Sequence, residues 1–352
     1  MTRPTLTIDL AAIVENYRRL IAQVKPAEVS AVVKADGYGL GAKPIAQALA
    51  AAGCKTFFVA HVEEGADLRA AIATHTIYVL HGYTSAHRAL FADHNLCPVL
   101  SSTGHVSDWL KSGLRTSAAL HLDTGMSRLG LSEADLATID GSIAPALVMS
   151  HLASSDDPDH EKNAEQLTRF KSLSRRFPHT TLSLAASGGC FLKPDYAFNL
   201  VRPGIALYGG NPGKSPENPM RGTVRLTAPL LQVRSIDRGD TVGYGATYAA
   251  SGPRRLGIAA IGYADGLMRS LSNRGHGVIS GVKCPIVGRV SMDLTTLDIT
   301  NVPEQHAHAG AEVEFIGANQ TVDEVATTAG TAPYEIFTRL GDRITRNYIG
   351  AR

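Results

Sequence analysis

The sequence has few cysteines, almost no net charge and no long hydrophobic run. Its four cysteines, Cys54, Cys97, Cys190 and Cys284, lie far apart without C-x-x-C pairs, which argues against a disulfide framework or a metal site. The formal net charge is +2 and no run of Lys or Arg stands out, so neither nucleic acid nor an anionic membrane is expected as a partner. No stretch approaches the ~20 apolar residues of a bilayer span, and the first residues lack the apolar segment of a signal peptide. We therefore expect a cytoplasmic protein.

What the chain does contain is a repeated unit between about residue 28 and residue 210. In each repeat, an apolar, β-branched run ends in polar or glycine residues, and an amphipathic helical pattern usually follows, as at Lys43–Ala52, Ser85–Asp93 and Glu161–Arg176. Continuous apolar runs are typical of parallel strands buried on both faces. Eight such units in roughly 180 residues predict an α/β fold with a TIM-type (β/α)8 barrel, although periodicity alone leaves a doubly wound sheet open. The candidate strands are Glu28–Lys34, Thr56–His61, Thr76–His81, Cys97–Ser101, Ser117–Asp123, Ala144–His151, Thr180–Ala186 and Leu200–Tyr208.

The pattern changes after Tyr208. Residues 209–222 are rich in Gly and Pro and are typical of a linker. Beyond them the chain predicts a mainly β C-terminal domain. We assign residues 10–215 to the barrel and residues 222–352 with 1–9 to the β domain, although the first residues could add a strand to either part. The predicted strands of this domain are Val224–Ile236, Gly257–Gly262, Val278–Val290 and Val313–Ile316, with one helical stretch at Thr321–Leu340.

Polar side chains follow several of the predicted barrel strands, where the reactive groups of TIM barrels gather. Lys34 closes the first strand at the edge of an apolar core, where desolvation would lower its pKa from about 10.4 and suit it to Schiff-base chemistry. A solvated lysine at the start of a loop is the alternative. Arg128, after the fifth strand, could clamp a carboxylate or phenolate oxygen, or be a surface arginine. His151 ends the sixth strand, where a structural hydrogen bond is favoured over proton transfer.

Two glycine-containing segments predict a phosphate site. Ser187-Gly188-Gly189 follows the seventh predicted strand, and Gly204-Ile205 lies within the eighth. Glycines let backbone N–H groups approach a phosphate closely, and barrels often bind phosphate after strands seven and eight. Either segment alone could be an ordinary turn, but the two together favour phosphate.

The β-rich half presents Tyr244 between two glycines, in GYGATY. Small neighbours would leave its phenol accessible, and nearby cations could lower its pKa from about 10 to allow acid or base catalysis. A packed aromatic in a turn is the alternative.

Eight segments together resemble the alanine racemase family, in the family's order and over nearly the whole chain. The resemblance implies a pyridoxal 5′-phosphate (PLP) cofactor, a barrel followed by a β domain, and a head-to-tail homodimer. It also implies an isomerase that interconverts L-alanine and D-alanine and supplies D-alanine for peptidoglycan. The segments are AVVKADGYGLG, HLDTGMSRLG, SHLASSD, AASGG, LVRPGIALYGG, VGYGATY, IGYADG and SMD.

The motif matches also imply roles for individual residues of the site. Lys34 would hold PLP as a Schiff base and act as a base on one face of the substrate, and Tyr244 of the partner subunit would act on the other face. Arg202 resembles the arginine that hydrogen-bonds the pyridine nitrogen, with His151 supporting it. The remaining matches are Tyr38, Ser187, Gly204 and Ile205 near the phosphate, Arg128 and Met292 near the substrate carboxylate, and Tyr263 at the opening of the site.

Two positions depart from the family pattern. His121 stands where the family often carries a lysine that is modified by CO2 and positions the following arginine. Asp342 aligns loosely with a tyrosine near the phosphate, where a carboxylate would be unfavourable, so we leave it out of the site.

Other activities stay open at this point. A racemase of broader specificity, or one acting on serine, would share the lysine and the tyrosine. A non-catalytic PLP-binding protein would resemble the barrel alone, and VGYGATY argues against it. A decarboxylase would share the two-domain architecture, but DTGM-x-RLG and GYGATY fit a racemase better.

Overall fold

The computed structural model describes residues 3–139, 141, 143–215 and 217–350. The chain divides into two compact units, which we call the barrel unit (Ile13–Arg221) and the β unit (residues up to Ala12 together with those from Gly222 onward). The outermost residues of the predicted β domain and one residue of the predicted linker lie outside the described residues. These are Met1, Thr2, Ala351, Arg352 and Pro216.

The first strand, β1 (Thr5–Asp9), belongs to the β unit. It pairs antiparallel with the strand Val224–Ile236 and parallel with the strand Thr345–Ile349. Helix α1 (Leu10–Val24) follows at once, and the Asp9 carboxylate accepts the Ala12 N–H near its start (2.9 Å).

The barrel unit is built on parallel strands whose apolar side chains are buried. Seven of them, β3 to β9, form one sheet in chain order. The eighth strand, β10, closes the ring. It pairs in parallel with β2 on one side, and on the other side the Arg202 N–H, just after β10, donates to the Ala185 carbonyl, just after β9 (2.9 Å). The predicted α/β barrel is thereby confirmed. The strands are β2 (Glu28–Val29), β3 (Ala31–Val32), β4 (Thr56–Val59), β5 (Thr76–Val79), β6 (Cys97–Leu100), β7 (Ala119–His121), β8 (Leu147–Met149), β9 (Thr181–Ser183) and β10 (Leu200–Val201).

Most strands of the barrel unit are followed by a helix. Several predicted helices begin or end within two residues of the observed ones, but the predicted helix from Ser85 to Asp93 is divided. Ser85–His87 forms a 3-10 turn before the α-helix starts at Arg88. The first of these segments, α2 (Lys34–Tyr38), is a short turn with left-handed backbone and not a regular helix. The helices are α3 (Ala42–Ala51), α4 (Val62–Arg69), α5 (Arg88–Asp93), α6 (Thr103–Ser112), α7 (Glu133–Thr138) and α8 (Glu161–Ser174).

The eighth predicted strand is much shorter than expected. Only Leu200–Val201 is strand, and residues 204–209 form a bend and turns, so the prediction that Gly204-Ile205 lies within the strand is wrong. Pro203 has no N–H to continue a ladder, and the Leu207 N–H donates to the Gly204 carbonyl instead (2.9 Å). The two residues therefore lie just beyond the strand end, at the edge of the barrel where sites are built.

The β unit contains an eight-stranded sheet and a two-stranded ribbon. The main path runs β16-β15-β18-β11-β1-β19, with β14 between β11 and β17, and β12 pairs with β13. Among the described residues no helix has the length and apolar character that crossing a membrane requires. The strands are β11 (Val224–Ile236), β12 (Thr241–Val242), β13 (Tyr248–Ala249), β14 (Arg254–Ala259), β15 (His276–Ile279), β16 (Val282–Pro285), β17 (Thr295–Asp298), β18 (Glu312–Ile316) and β19 (Thr345–Ile349).

Two predicted elements of the β unit are divided by turns. The predicted strand Val278–Val290 is a hairpin, because Ser280 and Gly281 both adopt positive φ and reverse the chain between β15 and β16. The predicted helix Thr321–Leu340 is two helices, α9 (Val322–Ala329) and α10 (Pro333–Thr338). Gly330, with φ of 75°, ends the first.

Candidate active site

Lys34 is the first residue of an unusual turn. The four residues from Ala35 to Tyr38 have φ between 51° and 62°, the left-handed region that costs about 1–2 kcal/mol per non-glycine residue. The Asp36 carboxylate accepts the Ala42 N–H (2.8 Å), and Glu64 accepts the Ala35 N–H (2.7 Å). Such strain persists where surrounding contacts over-determine the backbone, and it often marks functional sites.

The Lys34 amine is half-buried rather than fully solvated. Burial lowers its pKa below the ordinary lysine value, the nearby Arg128 cation lowers it further, and the Glu64 carboxylate opposes the shift. A larger fraction of the amine is therefore neutral at neutral pH than for a surface lysine. Such an amine can attack a carbonyl and take up a proton.

The barrel brings together side chains from several strand ends around His151. The pKa of His151 is lowered to about 3, mainly by burial and also by the charges of Arg202, Arg128, His121 and Lys34. Since these charges act on one imidazole, the groups share one region of the barrel. At neutral pH the His151 ring is uncharged, so it can donate and accept hydrogen bonds without adding to the local positive charge.

Arg202 is a buried cation with uncharged hydrogen-bond partners. The residue is 4 % exposed, and its guanidinium donates to Ser183 Oγ and to the Ser150 carbonyl (2.5 Å each). Burial lowers its pKa to about 10, which still leaves it protonated at neutral pH. A fixed positive charge beside neutral acceptors suits an anionic or electron-rich ligand.

The turn after β10 is hydrogen-bonded to Ser187, which lies four residues beyond the end of β9. Ser187 Oγ accepts the N–H groups of Gly204 (2.9 Å) and Ala206 (3.2 Å), and a hydroxyl that accepts two bonds keeps its own O–H to donate. A Cβ placed on Gly204 would lie 2.2 Å from Tyr38 Oη, so a side chain there would displace the phenol. The buried Ile205 completes the turn. Two hydroxyls and a glycine turn near the buried Arg202 cation have the donor chemistry that a phosphate needs.

His121 lies at the end of β7 and is uncharged at neutral pH. Its pKa is lowered to about 4, mainly by burial and also by the Arg202 and Arg128 cations, while the Asp123 carboxylate opposes the shift. A neutral imidazole can accept a hydrogen bond from a guanidinium, whereas a protonated one would repel it.

Acid should destabilise the folded chain through His121. Its pKa is about 4 when folded and 6.5 as a model group, so the unfolded chain binds more protons between these values and stability falls as pH drops through this window. We expect His121→Asn to reduce the slope of unfolding free energy against pH by up to ~1.4 kcal/mol per pH unit, measured by urea denaturation across the window. Exposed His179→Asn is the matched control. An unchanged slope in His121→Asn would disprove this assignment.

The β unit carries three exposed side chains that the sequence singled out. Tyr244 is 72 % exposed, between Gly243 and Gly245 with φ of 70° and 74°, so it is not a packed aromatic. Met292 and Tyr263, 54 % and 43 % exposed, lie on two loops joined by the hydrogen bond from the Ala264 N–H to the Met292 carbonyl (2.9 Å). Each of these side chains is available to a ligand or to another subunit.

Sequence reasoning missed Ser150 and Ser183, which bind the Arg202 guanidinium, and also Glu64. Isolated serines in buried strands carry no signal of their own, and their role depends on which arginine the barrel places beside them. Asp342, left out of the predicted site, is exposed in the β unit and lines a cavity there with Asp265 and Arg343. Across the described ranges no group of three or more His, Cys, Asp or Glu could hold a metal ion.

Comparison with known proteins decides the family. Residues 8–212 match the family model "Alanine racemase, N-terminal domain", and residues 223–348 match "Alanine racemase, C-terminal domain". The chain belongs to the alanine racemase family.

Relatives match this chain over nearly their full length. The alanine racemase of Methylobacterium nodulans is 46 % identical over 98 % of this chain and 95 % of its own. The catabolic alanine racemase of Agrobacterium fabrum is 45 % identical over 98 % of this chain and 92 % of its own. A crystal structure of the alanine racemase of Bartonella henselae, with covalently bound pyridoxal phosphate, is 41 % identical and covers 99 % of this chain and 100 % of its own, with a TM-score of 0.93.

Proposed function

We propose that this protein is a PLP-dependent isomerase that interconverts L-alanine and D-alanine. The observation that carries the proposal is the gathering, in one barrel of this family, of a half-buried amine, a buried arginine and a phosphate-type donor cluster. These are the groups needed to hold an aldehyde cofactor with an anionic tail. A broad-specificity or serine racemase is the nearest rival.

The residues present fit PLP. Lys34 would hold the cofactor covalently, while Tyr38, Ser187 and the Gly204-Ile205 backbone would bind its phosphate. When bound, PLP withdraws electrons from the substrate Cα and so makes the Cα hydrogen removable. Arg202, rather than a carboxylate, would face the ring nitrogen, and a permanent cation there disfavours protonation of that nitrogen. This weaker electron withdrawal limits side reactions such as transamination.

Inversion needs two acid–base groups on opposite faces of Cα. Lys34 would remove or return the proton on one face. Tyr244 of the partner subunit would do so on the other, in a head-to-tail homodimer. The exposed Tyr244, Tyr263 and Met292 of the β unit support this arrangement, because large apolar side chains so exposed are typical of interaction surfaces.

The substrate carboxylate would be held by Arg128 and by Met292 of the partner subunit. At the position where the family often carries a modified lysine, the neutral His121 would accept a hydrogen bond from Arg128 and fix its direction. We also propose that the D-alanine supplies peptidoglycan, and that the enzyme works in the cytoplasm, where its four free thiols would stay reduced.

Incubation with L-alanine in D2O tests the proposal. We expect D-alanine to form with deuterium at Cα, since the proton that returns comes from a group that exchanges with solvent. L-serine and L-lysine, assayed alongside, should turn over more slowly. A clear preference for L-lysine or L-serine would reassign the substrate, release of CO2 would indicate a decarboxylase, and PLP binding without exchange would indicate a non-catalytic protein.

A further inference from the structure

Glu64 contacts two separate strand ends of the barrel. It lies in the first turn of α4, and its Oε2 atom accepts the N–H groups of Ala60 (2.7 Å) and His61 (3.2 Å), which follow β4. Its Oε1 atom accepts the N–H of Ala35 (2.7 Å), the residue directly after Lys34. One carboxylate thus ties the Lys34 turn to the end of the neighbouring strand.

We propose that Glu64 is a positioning residue, whose carboxylate fixes the backbone from which the Lys34 amine projects. The role of Lys34 itself rests on the proposed function. Glu64 acts on the lysine through the Ala35 amide and through its charge.

Helix capping alone does not account for these contacts. In α9 the carboxylate of Glu324 bonds the N–H and hydroxyl of its own N-cap residue, Thr321, and in α7 Asp135 does the same with Ser132. Glu64 bonds its own N-cap residue and also reaches an amide 29 residues away in sequence. The additional bond therefore stabilises the turn that follows Lys34 and does not contribute to capping α4.

The turn needs this support because its residues are strained. Ala35 has φ of 53° and Asp36 has φ of 51°, a conformation that non-glycine residues rarely adopt. The Glu64 carboxylate accepts the amide at the start of the turn, that of Ala35, and the Asp36 carboxylate within the turn accepts the amide of Ala42, the first residue of α3. Without the first bond, we expect the turn to relax and the Lys34 amine to lose its fixed direction.

A carboxylate is required rather than an amide. Both Glu64 oxygens accept N–H groups, whereas glutamine offers one oxygen and an NH2 group that would meet a donor. The charge also matters, since it favours the ammonium form of Lys34 against burial and Arg128. Aspartate would keep the charge but shorten the reach by one methylene, so the two contributions can be measured separately.

The test uses the full chain without cofactor and compares Glu64→Gln, Glu64→Asp and Glu63→Gln. Glu63 is the matched control, because it is 63 % exposed, lies on the same helix turn and faces His87 at 3.8 Å. The first readout is the pH dependence of acetic anhydride labelling of Lys34, located by peptide mass spectrometry. The second is amide hydrogen exchange of the segment that contains Ala35.

In Glu64→Gln we expect the labelling midpoint of Lys34 to move down by about half a pH unit or more, since a favourable charge is lost. Exchange at Ala35 should accelerate about tenfold or more. Glu64→Asp should speed the exchange while keeping the midpoint closer to that of the unaltered chain, and Glu63→Gln should change neither.

Unchanged midpoint and exchange in Glu64→Gln, or equal changes in Glu63→Gln, would overturn the proposal. If Glu64→Gln does not fold, Glu64→Asp alone decides it, by its exchange at Ala35. Neither readout depends on racemisation. A chain that fails to racemise alanine would therefore refute the proposed function while leaving the role of Glu64 to be judged by its own measurements.

Discussion

Lys34→Ala is expected to abolish racemisation and the visible absorbance of lysine-bound cofactor. The substitution removes both the amine that would hold PLP covalently and one of the two groups that would move the Cα proton. We expect at least a 10³-fold loss of kcat, on the order of what acid–base and covalent catalysis contribute. Steady-state kinetics and the absorption spectrum after addition of PLP measure the two effects.

The matched control for this prediction is Lys43→Ala, which removes an exposed lysine nine residues further along the chain. It should keep both activity and spectrum. Because Tyr38, Ser187 and Arg202 remain in Lys34→Ala, PLP should still bind without a covalent bond, as equilibrium dialysis would detect. A lysine-type spectrum in Lys34→Ala would mean that another amine holds the cofactor.

Tyr244→Phe is expected to reduce racemisation by about 10²–10⁴-fold while the cofactor spectrum is unchanged. The two enantiomers have equal free energy, so kcat/KM must fall by the same factor in both directions. Proton exchange is different. Lys34 should still exchange the Cα hydrogen that faces it, so in D2O one enantiomer should incorporate deuterium without inversion and the other should not.

Tyr334→Phe, which removes the hydroxyl of another exposed tyrosine of the β unit, is the control and should keep full activity. Retained exchange of both enantiomers in Tyr244→Phe would exclude the phenol as the second base. Loss of exchange in both would instead indicate that Tyr244 is needed to position substrate or cofactor.

Much of the fold could be predicted because burial determines the sequence pattern. Continuous apolar runs marked the barrel strands, and the change of pattern after Tyr208 separated two kinds of structure. The predicted strand Val224–Ile236 has the observed bounds. The errors lie where a local turn divides a longer apolar pattern, as at Gly330 within the predicted helix and at Pro203 after β10.

The candidate site was only partly predictable. Lys34 is at a strand end, and its position can be inferred from the apolar run before it. Glu64 could not be inferred, because its bond to Ala35 joins residues that only the barrel brings together. The uncharged state of His121 likewise depends on burial, on Arg128 in the loop after its own strand, and on Arg202 from another strand end.

A heterodimer of Lys34→Ala and Tyr244→Phe chains tests most directly whether two subunits share each site. The two chains, with different affinity tags, are co-expressed and the mixed dimer is purified through both. If Lys34 works with Tyr244 of the partner subunit, one site of the heterodimer carries both substitutions and the other carries neither. We predict about half the wild-type activity per dimer, from two chains that are each inactive alone. A heterodimer no more active than its parents would contradict the shared site.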